Sequence, residues 1–259
     1  MTSVWVVLPT FEERENLRLV VARTRAALAS CDPPVDGTVL VVDDASPDGT
    51  GELADDLARV HGDVRVLHRA RKGGLGGAYL AGFAQALSAG AGLVIEMDAD
   101  LSHDPADLPR LIDTARAGAD VVLGSRYLPG GGVEGWSLHR RALSRAGGRY
   151  AALVLGLPLS DLTGGFKCFR AGALRTLAGE LVQSRGYAFQ VEMTFHAARA
   201  GLEIAEVPIV FRERERGRSK MSPAIAFEAL WKVPLMRLRG LLPHDAALTP
   251  SAGVPRRSA

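Results

Sequence analysis

The sequence contains little that would cross-link the chain, export it or carry it through a membrane. Only two of its 259 residues are cysteines, Cys31 and Cys168, and they lack C-x-x-C spacing, which excludes a cysteine zinc site and fits a reducing compartment. No window approaches the roughly 18 uninterrupted apolar residues of a membrane span. The chain begins almost directly with the apolar run 4–8, without the basic start and cleavage region of a signal peptide. We therefore expect a cytoplasmic protein that is soluble or bound to the surface of a membrane.

Charge of either sign is also not in excess. The 31 Lys and Arg residues balance 29 Asp and Glu residues, for a net charge of +2, so nucleic acid is not an expected partner. The hydrophobic fraction of 47% and the charged fraction of 23% are ordinary for a globular protein. We predict one domain over residues 1–243. Residues 244–259 are rich in Pro, Ser, Ala and Arg without periodicity, which predicts a disordered tail.

Strand-like and helix-like segments alternate along the first half of the chain. Residues 38–42 form an unbroken β-branched and leucine run, which is typical of a strand buried on both faces. Between such runs, apolar residues recur at helical spacing, as at Leu17, Val20 and Val21. Repeated βα units predict an α/β fold with a Rossmann-like, mostly parallel sheet flanked by helices.

A carboxyl-terminal amphipathic helix is predicted at about residues 222–242. It carries Trp231 among apolar and basic residues, and Pro234 should kink or divide it. A basic amphipathic helix with a tryptophan suits contact with a membrane surface, and packing on the sheet is the alternative.

Two carboxylates one residue apart end the apolar run 93–96. Asp98 and Asp100 can point the same way because side chains alternate along a strand, and open α/β sheets bind ligands at the carboxyl ends of their strands. This pattern indicates a divalent cation that clamps a diphosphate. The alternative is that Asp100, Ser102 or Asp104 caps the helix that begins near Pro105.

Three other segments have two interpretations each. The glycine-rich residues 73–77 open a helix, and they either cradle phosphate or form a tight entry turn. The loop 128–135 is either a lid or a plain surface loop. The basic run 212–220, which contains Arg214 and Lys220, is either a solvated surface or a mobile loop that folds cations over a bound diphosphate.

Taken together, ordered motifs between position 4 and about 242 resemble the family 2 glycosyltransferases of GT-A fold, and within them the dolichol/polyprenol-phosphate mannosyltransferases. Residues 9–17 (PTFEERENL) are similar to P-T-Y-N-E-x-E-N-L, with Phe for Tyr and Glu for Asn. Residues 42–50 contain D-D-x-S-P-D-G-T, residues 97–103 read M-D-A-D-L-S-H, and residues 214–220 match R-x-x-G-x-S-K. Further similar segments are 124–127 (GSRY), 161–166 (DLTGGF), 186–190 (GYAFQ) and 207–209 (VPI).

The resemblance implies roles for particular residues. The guanosine side of a GDP-mannose pocket would be lined by Pro9, Thr10, Phe11, Glu13, Val42 and Asp44. Asp98 and Asp100, with Ala99 between them, would hold Mg²⁺ or Mn²⁺, hard cations that suit oxygen ligands. A glutamine joins the metal in some relatives at the position of Ser102, and the shorter serine would act here through a water. Arg126, Arg214 and Lys220 would neutralise the donor diphosphate or the acceptor phosphate.

The implied reaction is metal-dependent transfer of mannose from GDP-mannose to a polyprenyl phosphate with inversion. A phosphate monoester arrives largely ionised near neutral pH, so it needs no general base. Asp161 either assists near the acceptor or caps the loop before Thr163. The lipid acceptor implies contact with the cytoplasmic face of a membrane, through the helix around Trp231 and the apolar residues 153–159 or through a membrane-bound partner protein. The alternatives are a polyprenyl-phosphate glucosyltransferase that uses UDP-glucose and a non-catalytic nucleotide-binding subunit.

Overall fold

The computed structural model describes residues 1–178, 187–213 and 231–238. In these ranges the strands are β1 (Thr2–Thr10), β2 (Val35–Asp43), β3 (Val64–His68), β4 (Leu93–Glu96), β5 (Val121–Ser125), β6 (Gly132–Glu134), β7 (Lys167–Arg170), β8 (Ile204–Pro208) and β9 (Val210–Arg212). The α-helices are α1 (Arg14–Ala29), α2 (Thr50–Val60), α3 (Leu75–Ser88), α4 (Leu108–Arg116), α5 (Leu138–Leu155), α6 (Ala171–Ala178) and α7 (Tyr187–Arg199). Residues 231–238 are also helical.

Seven strands form the central sheet in the order β3-β2-β1-β4-β7-β5-β8. Every neighbouring pair is parallel except the two that involve β7, which runs antiparallel to β4 and β5. The predicted α/β fold with a mostly parallel sheet is therefore confirmed. Strands β6 and β9 form a separate parallel pair.

Both faces of the sheet are covered by helices. In β1, Val4, Val6 and Leu8 pack with residues of α1, α2 and α4, whereas Trp5 and Val7 pack with residues of α3, α6 and α7. Successive side chains of a strand point to opposite faces, so a strand with two buried faces must be apolar at every position. This explains why the central strands read as continuous apolar runs.

A third apolar cluster joins α5, α7 and the helical residues 231–238. Leu155 of α5, Phe195 of α7 and Val233 are buried together in it. Arg237 Nη1 also donates a hydrogen bond to the Leu155 carbonyl oxygen at 2.7 Å. Across the described part of the chain, no helix combines the length and the apolar character that a membrane crossing requires.

The strand order places a ligand-binding crevice beside β1. From β1 the chain moves outward through β2 and β3, and it then returns to place β4 on the other side of β1. Val7 of β1 pairs with Glu96 of β4, so the carboxyl ends of these two strands lie next to each other where the winding direction reverses. In open α/β sheets, such a reversal point opens the crevice that binds ligands.

Several predicted features lie outside the described residues. These are Arg214, Lys220, the tail over residues 244–259 and the parts of the predicted helix 222–242 that flank residues 231–238.

Candidate active site

A cavity of about 440 Å³ lies at the carboxyl ends of β1 and β4. Loops that follow several strands contribute to its wall, as expected for this edge of the sheet. The residues predicted from the sequence that line it are Pro9, Thr10, Phe11, Glu13, Asp44, Asp98, Ala99, Asp100, Ser102 and Arg126.

Val42 was predicted to line this site, and the structure does not place it there. Its side chain is fully buried and packs in the apolar cluster with Ala78 and Phe83 of α3. Its carbonyl oxygen accepts a hydrogen bond from Thr10 Oγ1 at 3.3 Å. Val42 lies within β2 and its side chain faces α3, whereas Asp44 lies beyond the end of the strand, where its side chain reaches the cavity.

One end of the cavity is formed by the loop after β1. Glu13 Oε2 accepts a hydrogen bond from Asn16 Nδ2 at 2.8 Å, which orients the carboxylate. Lys72, which the sequence did not single out, places its Nζ 3.5 Å from the centre of the Phe11 ring. This cation–π contact ties the loop after β3 to the loop after β1.

Asp44 connects the same end of the cavity to the glycine-rich segment. Its carboxylate accepts backbone hydrogen bonds from Gly73 at 3.0 Å and Gly74 at 2.8 Å, and it pairs with Arg69. Gly74 has φ +84°, a conformation that favours glycine at the start of α3. The amides that were considered as a phosphate cradle therefore bind a carboxylate of the chain, which supports the interpretation of residues 73–77 as an entry turn.

Asp98 is held in place by groups on two sides. Its Oδ1 accepts a hydrogen bond from Tyr79 Oη at 3.1 Å, and its backbone N–H donates to His103 Nδ1 at 3.2 Å. Burial raises the pKa of Tyr79 well above its ordinary value, and the charges of Asp98 and Glu96 add to this effect. Tyr79 therefore stays a neutral donor that fixes the Asp98 carboxylate.

The acidic residues of the segment 98–104 differ in what their side chains contact. Asp104 Oδ1 accepts from the backbone N–H of Ala106 at 3.0 Å and so caps the short helical turn that precedes α4. Asp100 Oδ1 accepts from the Ser102 backbone N–H at 3.0 Å across Leu101, which has φ +64°. The structure thus assigns the cap to Asp104, and both Asp98 and Asp100 line the cavity.

The acidic pair fits a hard divalent cation. Among the described residues, no group of three or more His, Cys, Asp and Glu side chains is arranged to hold a metal ion. Ser102 Oγ, however, is buried beside the pair without a hydrogen-bond partner in the described ranges, so it offers another oxygen. Mg²⁺ typically binds one or two carboxylates and takes its other ligands from substrate phosphates and water, which matches this donor set.

Arg126 and Asp161 form a buried ion pair in the wall of the cavity. Asp161 accepts hydrogen bonds from Arg126 Nε at 2.6 Å, Nη2 at 2.8 Å and the backbone N–H at 3.2 Å. It also accepts from Thr163 Oγ1 at 3.1 Å. Although burial raises the pKa of Asp161, the Arg126 charge and these hydrogen bonds outweigh that effect and lower it. Asp161 therefore caps the loop at Thr163 and also orients Arg126, and its role near the acceptor stays a prediction.

Two further residues at this end of the cavity, Trp136 and Arg140, were not predicted from the sequence. The Arg140 guanidinium lies 4.1 Å from the Trp136 ring centre, and that of Arg126 lies 5.8 Å from it. Trp136 is buried, and its Nε1 has no hydrogen-bond partner among the described residues. Arg140 pairs with Glu213 at 2.6 Å. The glycine-rich loop 128–135 was the available signal, since β6 in this loop pairs with β9 and brings Trp136 to the cavity; its motion as a lid stays a prediction.

His103 was also missed as a residue of the cavity wall. Its ring packs against Phe166 and Phe211, with ring centres 5.1 and 5.3 Å apart. Burial lowers the pKa of His103 to about 4, with a smaller opposing effect from the Asp100 charge. A neutral ring whose Nδ1 accepts from the Asp98 amide serves to position the acidic segment.

Comparisons with known proteins agree with this geometry. A model of the family described as glycosyl transferase family 2 matches residues 5–178. The chain is 49% identical over 230 residues to an undecaprenyl-phosphate mannosyltransferase of Micrococcus luteus, covering 89% of this chain and 92% of that protein. It is 47% identical over 238 residues to a polyprenol monophosphomannose synthase of Mycolicibacterium smegmatis, covering 92% and 88%.

Among solved structures, the fold is similar to that of glucosyl-3-phosphoglycerate synthase from Mycobacterium tuberculosis in complex with Mn²⁺, UDP-glucose and phosphoglyceric acid. The TM-score is 0.63 at 20% sequence identity, with 92% of this chain and 79% of that chain covered. At this identity the similarity bears on the fold alone.

Proposed function

The chain belongs to glycosyltransferase family 2, and we propose that it transfers mannose from GDP-mannose to a polyprenyl phosphate with inversion. The product is a polyprenyl β-D-mannosyl phosphate. The observation that carries the proposal is one cavity in which the acidic pair Asp98 and Asp100 lies together with the cationic pair Arg126 and Arg140. Two relatives, 49% and 47% identical to this chain over most of their length, are named undecaprenyl-phosphate mannosyltransferase and polyprenol monophosphomannose synthase.

At the donor end, the proposal assigns the nucleoside of GDP-mannose to the loop after β1. Phe11 and Pro9 offer apolar surface, and Glu13 offers a carboxylate that accepts hydrogen bonds. Asp44 lies at the same end, where it fixes the entry turn of α3 through Gly73 and Gly74. These contacts support Asp44 as a residue that shapes the nucleoside pocket as well as one that lines it.

Asp98 and Asp100 are the proposed ligands of Mg²⁺ or Mn²⁺, with Ser102 beside them. A bound cation would neutralise the donor diphosphate and stabilise the departing GDP. Tyr79 and His103 hold Asp98 in a fixed position, so the carboxylate does not have to reorganise when the diphosphate binds.

At the acceptor end, Arg126 and Arg140 are the proposed partners of the lipid phosphate, with Arg214 and Lys220 as further cations from outside the described residues. Two guanidiniums reduce the repulsion between the acceptor phosphate and the donor diphosphate. The second pKa of a phosphate monoester is near 6, so the acceptor is mostly dianionic near neutral pH. One of its oxygens attacks the anomeric carbon, the bond to GDP breaks with its electron pair on GDP, and no proton has to move.

The lipid acceptor requires a route to the bilayer. We propose contact with the cytoplasmic face of a membrane near the cluster formed by α5 and the helical residues 231–238. Several large apolar side chains are exposed there, at 84% for Leu153, 58% for Trp231 and 60% for Leu238. Such exposure is typical of surfaces that meet a membrane or another protein. Binding of the purified chain to liposomes would distinguish direct contact from recruitment by a membrane-bound partner protein.

A donor competition assay tests the proposal. Purified protein is given a short polyprenyl phosphate, Mg²⁺ or Mn²⁺ and a mixture of GDP-mannose and UDP-glucose, and the anomeric configuration of the lipid product is determined by NMR. The proposal predicts a β-linked mannosyl phosphate. Transfer of glucose would contradict the donor assignment, an α-linked product would contradict inversion, and nucleotide binding without any transfer would indicate a non-catalytic subunit.

A further inference from the structure

Gln190 of α7 lies in the wall of the same cavity, close to the acidic pair. Its side chain is 98% buried, at 2% exposure, yet it lines the cavity. No described residue meets the distance and angle of a hydrogen bond with its Nε2. Burial raises the pKa of Glu96, and the amide also lies close enough to that carboxyl to oppose this larger effect. An NH₂ group has two N–H donors, so a contact with Glu96 leaves one of them for a ligand. Buried amide N–H groups nearly always have a partner, so an unpaired one that faces a cavity indicates that a ligand supplies the missing acceptor.

A lysine fixes the orientation of this amide. Lys167 Nζ donates to Gln190 Oε1 at 2.6 Å and to the Gln190 backbone carbonyl oxygen at 2.8 Å, and it lies 3.6 Å from Glu96 Oε1. An ammonium group only donates, so the Gln190 oxygen must face Lys167. The NH₂ group is thereby directed away from Lys167, and the usual ambiguity between the two ends of an amide does not arise here.

Gly165 leaves the amide open to the cavity. A Cβ atom at Gly165 would lie 3.3 Å from Gln190 Nε2 and 3.7 Å from Asp98 Oδ1. Because Gly165 has no side chain, nothing from this residue fills the space between the Gln190 amide and the proposed metal ligand Asp98. Both Gly165 and Gln190 line the cavity. A group bound to a diphosphate at Asp98 would be within reach of Nε2.

We propose that Gln190 Nε2 donates a hydrogen bond to a hydroxyl group of the donor sugar, which makes Gln190 a sugar-binding residue. This inference rests on the proposed function. A neutral amide suits a neutral hydroxyl acceptor, whereas the diphosphate is matched by cations. The mannose and the guanosine are attached to opposite ends of the diphosphate, so with the guanosine beside Phe11 and the diphosphate at the acidic pair, the mannose lies on the side away from Phe11.

The test compares the affinity for the sugar nucleotide with the affinity for the nucleotide alone. Calorimetry with Mn²⁺ present gives the Kd values of GDP-mannose and GDP for the wild type and for Gln190→Met. This variant keeps the length of the side chain and removes both the N–H donors and the Oε1 that accepts from Lys167. We expect the affinity for GDP-mannose to fall about fivefold to tenfold, as for the loss of one neutral hydrogen bond, while the affinity for GDP stays the same.

A second variant and a matched control accompany it. Gly165→Ala leaves Gln190 and Lys167 intact and adds a methyl group between Nε2 and the cavity. It should therefore lower the affinity for GDP-mannose relative to that for GDP, and it provides the test if Gln190→Met fails to fold. Thr194→Val removes another buried hydrogen bond from α7, because Thr194 Oγ1 donates to the Gln190 carbonyl oxygen at 3.0 Å. Thr194 does not line the cavity, so this variant should keep the wild-type ratio.

An unchanged ratio of affinities in Gln190→Met and Gly165→Ala would overturn the inference. An equal loss of affinity for GDP and GDP-mannose would overturn it as well, because it would place the contact on the diphosphate. If the wild type binds UDP-glucose in place of GDP-mannose, the donor assignment fails, and the ratio for UDP-glucose and UDP then tests Gln190. If the wild type binds neither sugar nucleotide, both proposals fail.

Discussion

Replacing Asp161 with Asn should cost the protein much of its stability. Asn has the same size, so the substitution opens no cavity, but it replaces one accepting oxygen with a donor that faces the donors of Arg126. Arg126 is 5% exposed and would keep its charge in the buried wall of the cavity after losing the anion that Asp161 supplies. Breaking one side of a buried ion pair costs about 3–5 kcal/mol.

For a domain of this size, the loss corresponds to a decrease in Tm of roughly 6–20 °C. Urea unfolding followed by circular dichroism measures the free energy of unfolding of the variant and the wild type. The matched control is Asp63→Asn, which breaks the pair of Asp63 with Arg25 at 2.8 Å, where the side chains are 39% and 31% exposed. Exposed pairs contribute about 0–1 kcal/mol, so the control should stay close to the wild type. Equal losses in the two variants would refute the reasoning.

The ion pair of Asp161 with Arg126 makes the free energy of unfolding depend on pH. Asp161 has a pKa below its ordinary value of 3.8 in the folded chain. A carboxyl group with a lowered folded pKa contributes stability above its unfolded pKa and loses that contribution as the pH falls through the folded value. The difference in stability between wild type and Asp161→Asn should therefore be the same at pH 7 and pH 5, and it should shrink below about pH 3.8. A difference that stays constant into that acid range would contradict the assignment.

Three further predictions concern the cavity and its surroundings. Arg140→Ala should raise the KM for polyprenyl phosphate about tenfold, because it removes a charge-assisted hydrogen bond to the acceptor phosphate. The Kd of GDP should stay unchanged. A change confined to GDP binding would contradict the role of Arg140 at the acceptor. His103→Phe keeps an aromatic ring but removes the Nδ1 that accepts from the Asp98 amide, so we expect a loss of about 1–3 kcal/mol in the free energy of unfolding and weaker Mn²⁺ binding. Unchanged Mn²⁺ affinity would contradict the positioning role. Leu153→Glu should reduce cosedimentation with anionic liposomes, because it places a charge on the proposed membrane contact. The control Val60→Glu changes a similarly exposed residue on α2 and should not reduce it. Equal effects of the two variants would contradict the proposed contact.

The fold could be predicted from the sequence because its signals are local. The continuous apolar run 38–42 indicates a strand with two buried faces, and β2 is such a strand. Asp98 and Asp100 follow a strand directly, so the sheet edge that carries them could be predicted as well. The side chain of Val42 is buried against α3, because a motif gives the order of residues along the chain and not the face of the strand to which each one points; its role in the nucleoside pocket stays a prediction.

The other residues of the cavity wall depend on contacts between distant parts of the chain. Trp136 meets Phe211 through the pairing of β6 with β9, and neither short strand has a periodic pattern of its own. The unpaired amide of Gln190 is visible only once Lys167, 23 residues away, is seen to hold the other end of the amide group. The spacing of residues in the sequence does not show which distant residues meet, so these contacts can be identified only in the folded structure.

The most direct test of the proposed mechanism measures transfer of label from GDP-[¹⁴C]mannose into an organic-extractable lipid by wild type and Asp100→Ala, with Mn²⁺ and with a chelator. The account predicts transfer by the wild type that the chelator stops, and no transfer by the variant while its binding of GDP partly survives. Metal-dependent transfer by Asp100→Ala at the wild-type rate would contradict the claim that the acidic pair at the end of β4 holds the cation.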